Sequence, residues 1–239
     1  MVKNNLETLK IHDMIRDSNT RILSDNLGNT LNHPMEQNKQ HLSEESFLVT
    51  RQDKELLNQH KAFVIWLTGL SGAGKSTIAR KLELQLYNAG IRTAILDGDN
   101  TRMTINRDLD FSASGRHENI RRVAEIAKLM NDAGVVVITS FISPFIADRE
   151  MAKEIIGETF FKEVFIDASL AVCIARDTKG LYKKALNGEL TDFTGISSPY
   201  ERPINPALVV STDYSSAEES VNQIFKWLAL EQLIYVETF

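Results

Sequence analysis

Apolar and polar positions alternate along most of the chain in blocks of the lengths typical of strands and helices. Runs of consecutive apolar residues predict buried strands at 62–68, 93–96, 135–138, 164–167 and 208–210. Apolar residues at helical spacing predict helices at 75–89, 119–133, 144–156 and 216–231, and a short helix after the candidate N-cap Thr50. Strands that alternate with helices indicate an α/β fold with a parallel sheet between two helical layers, a three-layer αβα arrangement.

The first 46 residues differ from this pattern, because they are polar and rich in Asn, Gln and Ser. We predict a loosely ordered N-terminal extension over 1–46, the alternative being a strap that docks on the domain or on a neighbouring subunit. Residues 47–239 are predicted to form one domain. Within it, the stretch 177–203 combines glycine, basic and aromatic residues and is interpreted as a lid.

A glycine-rich segment joins the first predicted strand to its helix and fits the pattern Gly-x4-Gly-Lys-Ser/Thr. Such a loop points several backbone N–H groups at one anion, and the following helix adds its positive end. Lys75 would reach the outer phosphates, and the Ser76 hydroxyl would help to hold Mg²⁺. Because a strand and a helix flank the segment, a chance match is the weaker interpretation. The predicted nucleoside triphosphate site comprises Gly69, Leu70, Ser71, Gly72, Ala73, Gly74, Lys75, Ser76 and Thr77.

Two aspartates, Asp97 and Asp99, follow the second predicted strand. In an extended chain, residues two apart project to the same side, and at the carboxyl edge of a parallel sheet that side is the ligand crevice. One carboxylate would hold Mg²⁺ while the other takes the proton of an acceptor hydroxyl. An acidic turn of ordinary composition is the alternative. Beside a phosphate loop, the pair predicts phosphoryl transfer.

Features of other phosphate-loop classes are missing from the sequence. The apolar strand 135–140 ends at Ser140, where a motor-type ATPase would place its Mg²⁺-holding Asp. The guanine-reading motif Asn-Lys-x-Asp does not occur in the chain. Both observations favour a phosphotransferase that acts on a small substrate.

Five arginines lie within 21 residues of a chain whose net charge is −5: Arg102, Arg107, Arg116, Arg121 and Arg122. Guanidinium groups bind phosphate or sulfate oxygens bidentately, and the nearby Phe111 ring would stack on a purine. The alternative places one of Arg121 and Arg122 on a solvated helix face. We therefore expect an anionic, nucleotide-like acceptor.

Composition limits the partners and the compartment. A net charge of −5 offers no basic field for nucleic acid. The single Cys173 excludes an internal disulfide and a cysteine-built zinc site. No apolar run approaches the roughly 18 residues of a membrane span, and the N-terminus lacks a signal-peptide core. We expect a cytoplasmic protein without nucleic-acid or membrane partners.

Seven blocks of sequence resemble the adenylylsulfate (APS) kinase family and occur in the family's order. They lie at 69–76, 96–102, 106–112, 116–122, 141–145, 179–185 and 193–201, so the likeness covers about residues 47–235. The resemblance implies a P-loop kinase with a five-stranded parallel sheet and a mobile lid. It also implies that the γ-phosphoryl group of ATP is transferred to the 3′-hydroxyl of adenosine 5′-phosphosulfate (APS), giving PAPS and ADP in sulfate assimilation. Mg²⁺ as the cofactor and a homodimer are further family expectations.

Carried over position by position, the resemblance implies roles for single residues. Segment 69–76 holds ATP, with Ser76 and Asp97 at the metal, and the division of labour between Asp97 and Asp99 stays open. The implied catalytic residues are Lys75, Asp97, Asp99 and Ser143. Ser143 is the family's phosphoserine position, although in-line transfer needs no covalent step and a Ser before a helix-opening Pro also suits an N-cap region. The implied acceptor-binding residues are Asp99, Arg102, Phe111, Arg116, Asn119, Ile142, Ser143, Lys179, Leu181, Phe193, Thr194 and Gly195, with Phe111 and Phe193 sandwiching the adenine.

The chain departs from the family pattern near the predicted site. Asp110 stands where Gly is usual, Ile174 replaces a usual Glu, and Thr178 replaces a usual Pro. Another small-metabolite P-loop kinase and an inactive nucleotide-binding regulatory protein remain as alternatives. The intact Lys75 and Asp99 argue against the inactive protein.

Overall fold

A computed structural model describes residues 47–235, and the predicted extension over 1–46 lies outside the described residues. Strands and helices alternate from the first strand onward. In chain order the elements are α1 (Arg51–Asn58), β1 (Val64–Thr68), α2 (Lys75–Asn88), β2 (Thr93–Asp97), α3 (Gly98–Met103), α4 (Ala113–Asp132), β3 (Val136–Ser140), α5 (Ile146–Ile156), β4 (Phe161–Asp167), α6 (Leu170–Arg176), α7 (Leu181–Leu186), β5 (Leu208–Ser211) and α8 (Ala217–Leu230).

The five strands form one parallel sheet in the order β2-β3-β1-β4-β5. Because every pairing is parallel, all strands end at the same edge of the sheet. The register places Ser140 beside both Leu67 and Asp97, so the ends of β1, β2 and β3 are neighbours. The predicted five-stranded α/β fold is confirmed, and this edge is where a doubly wound sheet binds its ligands.

Alternate residues of β1 point into two hydrophobic cores, one on each face of the sheet. Ile65 and Leu67, together with Phe63 just before the strand, pack with the apolar sides of α2 and α8. Val64 and Trp66 pack with α4 and α5 on the opposite face. All five β1 residues are buried, which explains their continuous apolar run. The central strand, and therefore the loop that follows it, is held rigidly from both sides.

Several predicted boundaries were wrong, each for a local reason. Helix α4 begins at Ala113 rather than at Asn119, because the Ser112 hydroxyl caps it by accepting from the Gly115 N–H. Helix α5 begins at Ile146 rather than at Pro144, with Phe145 as its N-cap, so the N-cap interpretation of Ser143 is also wrong.

The short helices α3, α6 and α7 were not predicted. Each spans six or seven residues, too few for helical periodicity to be visible in the sequence. The capping prediction at Thr50 is confirmed, since Thr50 and Asp53 form a reciprocal capping box. Among residues 47–235, no helix is long and apolar enough to cross a membrane.

Candidate active site

The phosphate loop between β1 and α2 depends on glycines that approach other backbone atoms closely. Gly69 has φ +149°, and a Cβ built there would lie 2.4 Å from the Ile166 carbonyl oxygen of β4. Gly72 has φ +76°, and its Cβ would lie 3.0 Å from the carbonyl oxygen of Cys173 on α6. Only glycine fits both positions, because a side chain would push the loop away from the sheet.

Lys75, the first residue of α2, is buried and folds back over the loop. Its Nζ donates to the carbonyl oxygens of Gly69 at 2.9 Å and Leu70 at 2.8 Å. Burial lowers the pKa of Lys75 to about 8, although the carboxylates of Asp97 and Asp99 act in the opposite direction. A buried ammonium held only by two carbonyls gains strongly from a phosphate that arrives beside it.

Ser76 and Asp97 meet where α2 and β2 face each other. The Ser76 hydroxyl donates to Asp97 Oδ2 at 2.7 Å and lies 3.1 Å from the Ser140 hydroxyl oxygen. Within residues 47–235, no group of three or more His, Cys, Asp or Glu side chains could hold a metal ion. A site of one carboxylate and hydroxyl oxygens nevertheless suits Mg²⁺, which is usually held by one or two carboxylates together with substrate phosphates and water.

Asp99 does not continue the extended strand, so the prediction that Asp97 and Asp99 project in the same way from a strand was wrong. Asp97 is the N-cap of α3 and accepts from the Asp99 N–H at 3.1 Å, which places Asp99 in the first helical turn. The Asp99 side chain is exposed and pairs with Lys179 from the lid segment. The two carboxylates thus differ, with Asp97 engaged by Ser76 and Asp99 facing the lid.

Arg102 and Phe111 form a stacked pair beyond α3. The Arg102 guanidinium lies 4.2 Å from the centroid of the Phe111 ring and donates to the Asp110 carbonyl oxygen at 2.9 Å. Asp110 also accepts from the Ser112 hydroxyl at 2.6 Å, so this departure from the family pattern orders the start of α4. The Phe111 ring is 65% exposed, which leaves one face open to a stacking ligand.

Arg116 on α4 links the Phe111 segment to the lid. Its Nε donates to the Phe111 carbonyl oxygen and its Nη1 to the Thr194 hydroxyl, both at 2.8 Å, while Nη2 contacts the Asp192 carbonyl. Burial lowers the pKa of Arg116, which indicates a guanidinium partly removed from water. The structure therefore brings the Phe111 segment and the Thr194 segment together at one arginine.

Two of the five clustered arginines do not face this site. Arg121 and Arg122 both pair with Glu118 on α4, and Arg122 also forms a bidentate pair with Asp108. Hydrogen bonds from both arginines lower the pKa of Glu118 to about 2. The sequence placed one of these two arginines on a solvated helix face, and in the structure both guanidinium groups already pair with neighbouring carboxylates.

Asn119 is buried and lies one turn after Arg116 on α4. Its Oδ1 accepts from the Asn106 amide at 3.0 Å, so the predicted acceptor-binding side chain is oriented by a second asparagine. The Asn106 Oδ1 is buried without a partner among the described residues. This amide pair ties the loop after α3 to the first turns of α4.

Ile142 and Ser143 lie in the segment that joins β3 to α5. Ser143 has φ +39°, in the left-handed region, and its side chain is buried. The Ser143 hydroxyl donates to Thr68 Oγ1 at 2.9 Å and accepts from Trp66 Nε1 at 3.2 Å. Thr68 in turn donates to the Ile142 carbonyl oxygen at 2.8 Å. Ser143, the family's phosphoserine position, is therefore held in the core by two partners.

Residues of the predicted lid segment contact the phosphate loop. Tyr182, next to Leu181 at the start of α7, donates to the Ser71 carbonyl oxygen at 2.9 Å. The Phe193 ring packs edge-on against Tyr182, with 5.0 Å between ring centroids. A Cβ at Gly195 would lie 3.2 Å from Leu70. Phe193 is thus anchored by packing, and its stacking on an adenine stays a prediction.

Several residues of the site were missed from the sequence. Arg149 donates to the Ser143 carbonyl oxygen, the Glu201 N–H donates to the Pro144 carbonyl oxygen, and the Tyr200 ring lies 5.9 Å from the Arg149 guanidinium. Arg149 shares a helical face with the buried Ala152 and Ile156, a spacing of three and then four residues. The position of Arg149 in line with these apolar residues was the signal in the sequence that its side chain is buried.

A second missed pair, one residue just after β5 and one at the end of α6, touches the phosphate loop. Thr212 donates to the Ala73 carbonyl oxygen at 2.9 Å, and Arg176 reaches the Gly72 carbonyl oxygen at 3.4 Å. Arg176 also contacts the Thr212 carbonyl. These contacts join segments far apart in the chain, so no local pattern could have revealed them.

Known proteins with similar sequences are adenylyl-sulfate kinases. The family model described as adenylylsulphate kinase matches residues 61–211. The adenylyl-sulfate kinase of Clostridium acetobutylicum is 50% identical over 186 residues, which cover 78% of this chain and 92% of that protein. The probable adenylyl-sulfate kinase of Halalkalibacterium halodurans is 46% identical over 195 residues, covering 82% of this chain and 96% of that protein.

Solved structures give the same result. The APS kinase of Mycobacterium tuberculosis, solved in complex with AMPPNP and APS, has a TM-score of 0.69 and 43% identity, covering 71% of this chain and 99% of that chain. A hexameric APS kinase from Thiobacillus denitrificans has a TM-score of 0.57 and 28% identity, covering 74% of this chain and 31% of that chain. Because the family model matches more than half of this chain, the chain belongs to the adenylyl-sulfate kinase family.

Proposed function

We propose that this chain, an ATP-dependent adenylyl-sulfate kinase, transfers the γ-phosphoryl group of ATP directly to the 3′-hydroxyl of APS. The hydrogen bond between Ser76 and Asp97 is the observation that carries the proposal. It joins the phosphate loop to the aspartates after β2, so the triphosphate and the acceptor machinery meet at one edge of the sheet. The products are PAPS and ADP.

The phosphate loop binds ATP through the residues predicted from the sequence, 69–77. Lys75 exchanges its contacts with two loop carbonyls for contacts with the outer phosphates. Ser76 and Asp97 are the residues that would hold Mg²⁺, as their oxygen donors fit this ion. When bound, the ion would neutralise negative charge on the triphosphate.

Asp99 takes the proton of the acceptor hydroxyl. Its carboxylate is exposed and is not engaged by the phosphate loop, whereas Asp97 accepts from Ser76. In the reaction the 3′-oxygen attacks the γ-phosphorus, the bond between that phosphorus and the β–γ bridging oxygen breaks, and ADP leaves with the electron pair. The 3′-hydroxyl proton passes to Asp99. Lys179 exchanges its pairing with Asp99 for the phosphates when ATP is bound.

Arg102, Arg116 and Asn119 bind the phosphosulfate of APS. Arg102 and Arg116 are both partly buried, so each gains more from an anion than a fully solvated guanidinium would. Phe111, already stacked on Arg102, offers its open face to the adenine, with Phe193 on the other side. Ile142, Leu181, Thr194 and Gly195 complete the acceptor pocket.

Transfer needs no phosphoserine. The Ser143 hydroxyl is buried between Trp66 and Thr68 and has a left-handed backbone, so it would have to leave the core to attack ATP. Direct in-line transfer between two bound nucleotides is the simpler route. A homodimer and a cytoplasmic location also belong to this proposal, and light scattering on the purified chain would test the dimer.

A coupled assay for ADP, with PAPS identified by mass spectrometry, tests the function. With ATP and Mg²⁺, we expect APS-dependent turnover that Asp99→Asn lowers by about 10²-fold or more. Asp97→Asn should raise the Mg²⁺ concentration needed for half-maximal rate, which Asp99→Asn should leave unchanged.

Acceptor competition separates this function from the alternatives. Phosphorylation of another metabolite but not of APS would show a different small-molecule kinase. Absence of turnover with every acceptor, together with ATP binding, would show an inactive nucleotide-binding protein.

A further inference from the structure

Arg149 on α5 is a charged side chain that the assigned chemistry does not use. Its side chain is 2% exposed and makes three hydrogen bonds. Nε donates to Glu163 Oε1 at 2.7 Å, Nη1 to the Ser143 carbonyl oxygen at 2.7 Å, and Nη2 to the Glu201 carbonyl oxygen at 2.8 Å. The guanidinium also lies 5.9 Å from the centroid of the Tyr200 ring. One planar group thus joins three separate segments of the chain.

The first of these segments, residues 142–144, lies beside the proposed reaction centre. It follows Ser140, which is paired with Asp97 across the sheet and lies 3.1 Å from the Ser76 hydroxyl. The backbone of Ser143 has φ +39°, a conformation that persists in a non-glycine residue only where the surroundings impose it. The bond from Arg149 to the Ser143 carbonyl oxygen is one of the contacts that impose it.

The second segment, residues 199–202, is the carboxyl end of the lid, and it is attached to the first. The Glu201 N–H donates to the Pro144 carbonyl oxygen at 2.8 Å, and the Glu201 carboxylate accepts from the Ile146 N–H at 2.7 Å at the start of α5. The Tyr200 hydroxyl lies 2.9 Å from Thr68 Oγ1, directly before the phosphate loop. The carboxyl end of the lid and segment 142–144 are therefore fastened together around Arg149, and both contact Thr68 at the end of β1.

We propose that Arg149 is a positioning residue for the acceptor, which holds segment 142–144 and the carboxyl end of the lid in their binding geometry. The inference rests on the proposed function, since it concerns how the same site places APS. Arg149 acts through the main chain of Ser143 and Glu201 and does not touch substrate. Glu163 pairs with the guanidinium, so its charge is balanced without a phosphate group.

A purely structural role for Arg149 makes a different prediction. If Arg149 were only half of a buried ion pair, any cation beside Glu163 would serve, and a lysine would affect the KM values for ATP and APS equally. The geometry instead uses the planar fork of arginine, because three donors point at three acceptors in different directions. Lysine keeps the charge beside Glu163 and loses the bridge between the two carbonyls.

Steady-state kinetics of Arg149→Lys, with ATP and APS varied in turn, tests the proposal. We expect the KM for APS to rise by about tenfold or more and the KM for ATP to stay within about twofold, because misplacing the acceptor leaves the ATP site intact. Arg80→Lys is the matched control, since it makes the same chemical change at an exposed position of α2. It should leave both KM values unchanged.

Thermal melting with and without APS accompanies the kinetics. A folded Arg149→Lys protein with a wild-type KM for APS would overturn the proposal, as would equal increases in both KM values. If Arg149→Lys does not fold, Glu163→Gln replaces it, and a wild-type KM for APS in that variant would overturn the proposal equally. Wild-type protein without any APS-dependent turnover would instead contradict the proposed function, so the two failures are distinguishable.

Discussion

At the scale of single residues, Lys75 is the charge on which phosphoryl transfer depends. Lys75→Ala removes the ammonium that stabilises the transferring phosphoryl group, and we expect the turnover number to fall by about 10³-fold or more. The coupled ADP assay measures this loss. Lys81→Ala is the control, because it removes a surface lysine that lies on the same helix as Lys75 and pairs with Glu218 of α8, and it should keep wild-type turnover. Wild-type-like turnover in Lys75→Ala would refute the phosphate-loop assignment.

The lowered pKa of Lys75 predicts proton uptake when ATP binds. Without ligand, burial holds this pKa at about 8, below its ordinary value of 10.5, so the amine is mostly neutral at about pH 9. Phosphate beside the amine favours the ammonium and raises the pKa, and up to about one proton per ATP should be taken up at this pH. ATP affinity should therefore weaken as the pH rises above about 8.

Calorimetric titration with Mg–ATP in two buffers of different ionisation enthalpy measures this uptake. At about pH 9 the apparent binding enthalpies should differ, and at about pH 7, where Lys75 is already charged, the difference should nearly vanish. The lowered pKa of Lys75 also makes the free energy of unfolding depend on pH. The unfolded chain binds more protons between about pH 8 and 10.5, so this residue makes the free energy of unfolding rise with pH in that window. Equal enthalpies in both buffers at about pH 9 would contradict the assignment.

Ser143 separates the direct from the covalent route. Its hydroxyl bonds to Trp66 and Thr68 in the core, so Ser143→Ala should lower the free energy of unfolding by about 1–3 kcal/mol through an unsatisfied buried donor. Turnover should persist within about tenfold, because in-line transfer does not use the hydroxyl. Denaturant unfolding and the coupled assay measure the two effects. Complete loss of turnover in a folded variant would favour the phosphoserine.

At the scale of elements, the junction between β1 and α2 tolerates no side chain at Gly69. A Cβ there would lie 2.4 Å from the Ile166 carbonyl oxygen, so Gly69→Ala must displace the loop or strand β4. We expect ATP binding to be lost and the free energy of unfolding to fall by about 1–3 kcal/mol more than in the control.

Gly90→Ala is the control for the conformational cost alone. Gly90 has φ +77°, which also disfavours alanine, but no heavy atom lies within 4 Å of the added Cβ. Its variant should bind ATP normally with a modestly lowered melting temperature. Normal ATP binding by Gly69→Ala would show that the close approach to β4 does not set the loop conformation.

At the scale of the whole molecule, the predicted division at residue 47 has a direct test. A chain of residues 47–239 should keep the kcat/KM for APS within about twofold of the full-length value, because the loop, the aspartates and the arginines all lie within it. The matched region covers nearly the whole length of related kinases, which supports this expectation. A large loss of activity in the shorter, folded chain would favour the strap interpretation of residues 1–46.

Much of the fold and part of the site could be read from the sequence, because they depend on local patterns. Continuous apolar runs marked the strands that are buried on both faces, and helical spacing marked α2 and α8. The glycines and Lys75 formed a contiguous motif whose conformation follows from its own residue types. Short helices such as α3 were not predicted, since six residues carry no visible periodicity. Because α3 was not predicted, the orientation of Asp99 in its first turn was not predicted either.

The sequence by itself determined the class of protein, its α/β sheet and the phosphate loop, since each rests on residues adjacent in the chain. Only the tertiary structure decided which charges are available for chemistry. Arg121 and Arg122 look like acceptor ligands until Glu118 and Asp108 are found beside them, and Arg149 looks like a surface charge until three segments close around it. The physical reason is that hydrogen bonding and burial depend on neighbours in space, and residue identity specifies only what a side chain is able to bind.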